Sequence, residues 1–165
     1  MTTKELLLKQ LAAAYDKNGW FVALKNALNN LTAEQAAWKP ENLDNSIWEI
    51  LAHLNFYNRA YVERFKGIDY DYSTDNNDET FASAASPSEE KWQAEVENFD
   101  KIMTELRSLV EAAEDAKFDE PVSATNKARW ASLLSQVNLH NAHHGGQIVV
   151  IRKLQGSWDA SKGVS

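Results

Sequence analysis

An all-α fold, a four-helix bundle with a long crossover between its second and third helices, is what this 165-residue chain predicts. Three observations carry the expectation. Helix starts are repeatedly written as S/T-x-x-E/Q. Apolar residues recur at three- and four-residue spacing in long segments, and short apolar runs such as Ile148-Val149-Val150-Ile151 sit inside that helical pattern instead of being bounded by turns. About twenty residues between Gly67 and Ser86, rich in Asp, Asn, Ser, Thr and Tyr, make an uncommonly long connection for a compact domain. Such a connection returns along the bundle, so that the third helix runs parallel to the second in an up-down-down-up order.

The first helix is expected from about Thr3 to Asn29, broken or kinked around Asn18-Gly19. A short helical turn follows from Thr32 to Trp38, opened by the Thr32-Ala33-Glu34-Gln35 capping box and stopped before Pro40. The second long helix starts at the Ser46-Ile47-Trp48-Glu49 box, runs from Ile47 to about Lys66, and ends at Gly67 as C′ residue. Its stripe is Ile47, Ile50, Leu51, Leu54, Tyr61 and Phe65, with His53 on the flank. The third runs from Pro87 to about Glu114, with Ser86-Pro87-Ser88-Glu89 as its box and proline at the first helical position. Trp92, Val96, Phe99, Met103, Leu106 and Val110 form its apolar stripe. The fourth runs from about Asn126 to Leu154 and stops before Gly156.

The length suits a single domain, 1–165, with a proper core. A net charge of −7 and a pI near 5.1 argue against neutralising nucleic-acid phosphates. No apolar run is long enough to span a bilayer. Leu6-Leu7-Leu8 is followed at once by Lys9, so the N-terminus does not read as a secretory signal, and the cytoplasm is the expected compartment. The absence of cysteine excludes thiolate catalysis by the chain itself, disulfides and cysteine-ligated zinc. Any thiol chemistry needs a thiol from outside. Aspartates 69, 71, 75 and 78 lack the ordered spacing and glycine of an EF-hand loop and read as a solvated crossover.

All four histidines fall in two places, His53 alone and His140, His143 and His144 in the run H-N-A-H-H-G-G-Q. His140 and His144, four residues apart, point the same way on a helix and lie within its apolar stripe, whereas His143 lies at the edge. Two imidazoles on one face and a third from another segment make the protein half of an open transition-metal site. Depth along the helices tests whether they meet. At about 1.5 Å per residue His53 lies roughly 10 Å from the start of its helix, and His140 and His144 roughly 15–21 Å from the end of theirs. Parallel helices would leave the levels more than about ten ångströms apart, whereas antiparallel helices bring them close. The long crossover independently makes the second and fourth helices antiparallel. Gly145 and Gly146, each costing about 1 kcal/mol relative to alanine within a helix, suggest that something nearby needs the space. Gln147 is one turn from His143 and His144 and suits a hydrogen-bonding role behind a ligand.

With these residues assembled, the chain resembles the DinB-like superfamily, also called YfiT-type metal-dependent hydrolases. The resemblance rests on L-T-A-E-Q-A-A-W-K-P at 31–40, S-I-W-E-I-L-A-H-L at 46–54 and H-N-A-H-H-G-G-Q-I at 140–148, and its pattern covers nearly the whole chain. It implies a four-helix bundle with a long crossover, commonly a homodimer, holding one divalent ion such as zinc or nickel on His53, His140 and His144. The departure is Gly145, where many relatives carry arginine or another polar residue. Members of the family transfer low-molecular-weight thiols, isomerise or hydrolyse. The resemblance thus implies a metal-dependent enzyme in which an external thiol or water attacks a small electrophile, with thiol transfer favoured on family grounds alone. The rival reading is a non-catalytic dimeric stress-response or binding protein with a structural metal. His143 is the sole candidate acid or base, since Glu49 is explained as a cap and Glu63 lies too far along its helix. Trp20, Tyr57 and Gln147 are the candidate substrate-pocket residues, the other tryptophans being mainly core or dimer contacts.

Overall fold

Thr2, Thr32 and Ser46 each accept a hydrogen bond from the backbone N–H three residues on, and Glu5, Gln35 and Glu49 each reach back to the cap, so three helices begin with a reciprocal box. In the computed structural model, which describes residues 1–70, 74–82 and 86–164, these helices are α1 (Thr3–Tyr15), α3 (Ala33–Ala37) and α4 (Ile47–Phe65). The others are α2 (Leu24–Leu28), α5 (Glu89–Ala112) and α6 (Trp130–Leu154). Three short 3-10 turns, Asn77–Thr80, Asp115–Asp119 and Ala160–Lys162, complete the regular structure, and the described residues contain no strand. None of the described helices is long and apolar enough to cross a membrane.

Side-chain pairs fix the direction of each long helix. α4 and α5 are parallel, because Trp48 packs on Trp92 near their starts while Arg59 and Lys66 bind Glu105 further along. α1 and α5 are antiparallel: Lys4 Nζ donates to the Ala113 carbonyl at 2.7 Å, and Tyr15 donates to the Asp100 carboxylate. α4 and α6 are antiparallel as well, with Phe65 against Trp130 at one end and His53 beside His140 towards the other. The order is therefore up-down-down-up, as crossover length and histidine depth require. Trp92, Phe99, Met103, Leu106 and Val110 of the α5 stripe are buried, and Val96 packs partly buried against the same core.

Four boundaries differ from expectation. The first predicted helix is two helices separated by residues 16–23. Asn18 Oδ1 accepts from the Ala23 backbone N–H and the Asn26 side chain, which holds the connection as a turn instead of a kink. Ser88, not Ser86, caps α5, and Pro87 precedes the helix. The Glu89 carboxylate needed for the Ser86 box instead accepts from the Ala33 N–H at 2.9 Å, so contact with the start of α3 displaces the local motif. The α5 segment ends at Ala112, and the Asp115–Asp119 turn follows. Finally, α6 begins at Trp130, because residues 120–130 double back through Val122 N–H to the Ala128 carbonyl and Trp130 N–H to the Glu120 carbonyl.

The connection from α2 to α6 is held by a buried arginine. Arg152 donates to the carbonyls of Ala27, Asn29 and Ser157 at 2.7–2.9 Å, closing the C-terminal end of α2. Gly145 is used where α2 crosses α6: a Cβ there would meet Leu24 Cγ at 3.4 Å and the Val22 carbonyl oxygen at 3.7 Å. A side chain at 145 would face α2. Gly146 has nothing within 4 Å, so the close-packing expectation holds for only one of the two glycines within the chain.

Candidate metal centre

α4 and α6 cross antiparallel at a level fixed by a buried amide pair. Asn58 Nδ2 donates to Asn141 Oδ1 at 2.8 Å and Asn141 Nδ2 donates back to Asn58 Oδ1 at 3.2 Å. Towards the start of α4 from this pair stands His53, and beside it on α6 stands His140, with His144 a turn further on. One ring nitrogen from each of these three histidines lies within 4.8 Å of the others, forming a group able to hold a metal ion. His140 Nε2 is 3.0 Å from both His53 Nε2 and His144 Nε2. Three nitrogens on one ion with bonds of about 2.0–2.1 Å sit roughly 3.0–3.4 Å apart, so this spacing suits a shared cation.

Proton placement gives a second test of fit. Thr80 Oγ1 donates its only proton to the Asn77 carbonyl at 2.6 Å, so towards His53 Nδ1, also 2.6 Å away, it acts as acceptor. His144 Nδ1 likewise donates to Gln147 Oε1 at 2.6 Å. A neutral imidazole carries one proton, so both His53 and His144 turn an unprotonated Nε2 towards His140. One proton on His140 Nε2 serves only one of those two neighbours. A cation at their centre satisfies all three lone pairs.

The surroundings keep the imidazoles neutral. Burial is the main cause that pulls His53 down to about 3 and His144 down to about 4, with neighbouring histidines adding to it. The Gln147 hydrogen bond works in the opposite direction at His144. Burial also lowers His140, followed by the nearby His143. Phe81 stacks on His53 with ring centroids 4.0 Å apart and planes within 11°, and Tyr57 meets the His53 ring edge-on.

The group opens into a hollow of about 470 Å³ bordered by Tyr57, Tyr61, Phe81, Gln136 and His143. His143 is exposed and also borders a second hollow of about 500 Å³, where Gln147 joins Leu43, Asp44, Ile50 and Val150. The structure thus brings His53, His140 and His144 together, sets His143 and Tyr57 at the rim, and uses Gln147 behind His144. It does not bring Trp20 to the site. That side chain is 100% exposed on the α1–α2 connection and borders neither hollow.

Two residues against His53, Thr80 and Phe81, were not expected. Both belong to the crossover, which is more than a solvated return: residues 77–81 fold onto the histidine. Of its acidic residues, Asp71 lies outside the described residues, while Asp69, Asp75 and Asp78 are exposed. The local signal available was Asn76-Asn77-Asp78, whose Asn76 side chain caps the 3-10 turn by accepting from the Asp78 N–H.

Compared with known protein families, residues 22–148 match the DinB superfamily. No curated protein and no solved structure matches the chain.

Proposed function

The chain belongs to the DinB superfamily, and from that membership and the three facing imidazoles we propose that it is a metal-dependent enzyme holding one divalent ion, zinc or nickel, on His53, His140 and His144. Its substrates are a low-molecular-weight thiol or water as nucleophile and a small electrophile as acceptor, with thiol transfer favoured on family grounds. The observation that carries the metal reading is the proton arrangement: Thr80 and Gln147 occupy the outer nitrogens of two histidines and leave lone pairs directed at the third. Bound there, a divalent ion would acidify a water or thiol that joins it and so supply a nucleophile near neutral pH.

The chain's own residues then have separable tasks. Tyr57, Tyr61 and Phe81 give the hollow apolar walls that limit water. His143, exposed at the rim shared by both hollows, is placed to exchange a proton with a substrate or leaving group. The described residues bordering the two hollows include neither lysine nor arginine, which favours an electrophile without a phosphate or carboxylate to be neutralised. A site with three protein ligands beside a hollow favours catalysis over a purely structural ion. The test is metal analysis of untagged protein, then a screen of small thiols against neutral electrophiles with the metal-loaded form. Turnover lost in a His143→Ala variant that still holds its ion supports the reading; no turnover by loaded wild-type protein with any thiol, or with water, opposes it.

A homodimer is part of the same proposal, as is a cytoplasmic location. Leu139, Val150 and Leu154 are exposed apolar residues of α6, and Gly146 among them has open space where a Cβ would stand. A helical glycine whose absent side chain would touch none of the described residues suits close approach by a second copy.

A further inference from the structure

We propose that Thr80, in the crossover and distant in sequence from every histidine of the site, is a positioning residue that sets the tautomer of His53. The inference deepens the metal reading of the same site. Its geometry is a relay of two short hydrogen bonds. The Thr80 hydroxyl donates to the Asn77 carbonyl at 2.6 Å, within the same 3-10 turn, and accepts from His53 Nδ1 at 2.6 Å. Because a hydroxyl has one proton, the first bond dictates the sense of the second. His53 must then carry its proton on Nδ1 and present a bare Nε2 to the other two histidines.

The turn is fastened for this task on more than one side. Tyr57 Oη donates to Asn77 Oδ1 at 3.0 Å, tying the turn to α4 one helical turn beyond His53. Phe81, the next residue after Thr80, stacks on the His53 ring. Thr80 is 6% exposed, so water does not readily replace its hydroxyl. Without the hydroxyl, no partner is left for a proton on Nδ1, and the proton is free to move to Nε2, where it blocks the lone pair that a cation needs. Partners of this kind behind a metal-binding histidine are commonly worth about 10- to 100-fold in affinity.

The test uses full-length chain, labelled with ¹⁵N in its histidine rings, at pH 7.5. In metal-free protein the ring-nitrogen shifts of His53 report which nitrogen is protonated. Wild type is expected to show protonated Nδ1. Thr80→Val, which keeps the shape and removes the hydroxyl, is expected to move the proton to Nε2 and weaken zinc binding about 10- to 100-fold. Thr80→Ser, which restores the hydroxyl, is expected to recover both properties. Circular dichroism checks that each variant keeps its helices. An unchanged tautomer in Thr80→Val overturns the positioning role, as does failure of serine to restore it. A wild-type chain that takes up neither zinc nor nickel overturns the metal reading, and the metal-free tautomer comparison then still decides the role of Thr80.

Discussion

Replacing Asn58 with leucine strands the Asn141 amide in the core, and the cost can be worked from the contacts. The two asparagines are 1% and 0% exposed and exchange hydrogen bonds of 2.8 and 3.2 Å. Among the described residues, the one further side-chain hydrogen bond of this pair is a weak one, from Asn141 Nδ2 to the Met103 sulfur at 3.8 Å. Each single substitution removes both bonds, at about 1 kcal/mol net apiece, and leaves one amide buried without a partner, at about 1–3 kcal/mol. Asn58→Leu and Asn141→Leu should therefore each destabilise by about 3–5 kcal/mol, lowering the melting temperature by roughly 6–20 °C at this chain length. The double variant removes both amides and puts two apolar groups of similar volume in contact. It should lie within about 1 kcal/mol of wild type, which gives a coupling of about 5 kcal/mol or more in the cycle. Urea denaturation followed by circular dichroism measures all four corners. Additive losses, with the double variant the least stable, would refute the idea that the amide pair locks the level at which α4 and α6 cross.

Three further outcomes follow from particular residues. His53 and His144 are depressed to about 3 and about 4 in the fold, against about 6.5 in an unfolded chain, so the unfolded state binds more protons between those values. Their contribution to metal-free stability should be complete above about pH 6.5 and lost as the pH falls towards 4 and then 3; a His53→Asn/His144→Asn variant should show a flatter loss over that range, and an identical pH slope would contradict this. Gly145→Leu should destabilise by about 1–3 kcal/mol, since its side chain meets Leu24 at the α2 crossing; thermal melts comparable to wild type would count against that packing. Gly146→Ala should instead raise the stability of the isolated chain by up to about 1 kcal/mol and weaken self-association, seen by analytical ultracentrifugation; a variant that self-associates as wild type does would argue against α6 as the dimer face.

The legible part of this fold was the part written in periodicity and punctuation. Ser46 with Glu49 and Thr32 with Gln35 form the boxes their spacing announces. The direction of α6 followed from two readable quantities, the length of the 67–86 connection and the depth of the histidines. Tertiary contacts account for what was not legible. Ser86-Pro87-Ser88-Glu89 has the letters of a capping box, but Ala33, remote in sequence, claims the Glu89 carboxylate. Asn18 breaks the first helix through its partners Ala23 and Asn26, which helix propensity does not weigh. Thr80 and Phe81 sit in a polar stretch with no periodic pattern, and only the fold shows that they cover His53. Among the pocket expectations, Trp20 stands on an exposed connection outside both hollows, whereas Tyr57, one helical turn from His53, stands at the rim.

Titration calorimetry of zinc into metal-free, untagged protein probes the core of this account most directly, run side by side on wild type, His53→Ala and His144→Ala. One ion per chain in wild type and loss of that stoichiometric binding in both variants, each with its helical circular dichroism kept, is the result anticipated. Uptake by either variant at the wild-type ratio and affinity would mean that these imidazoles, however closely they face one another, are not what grips the cation.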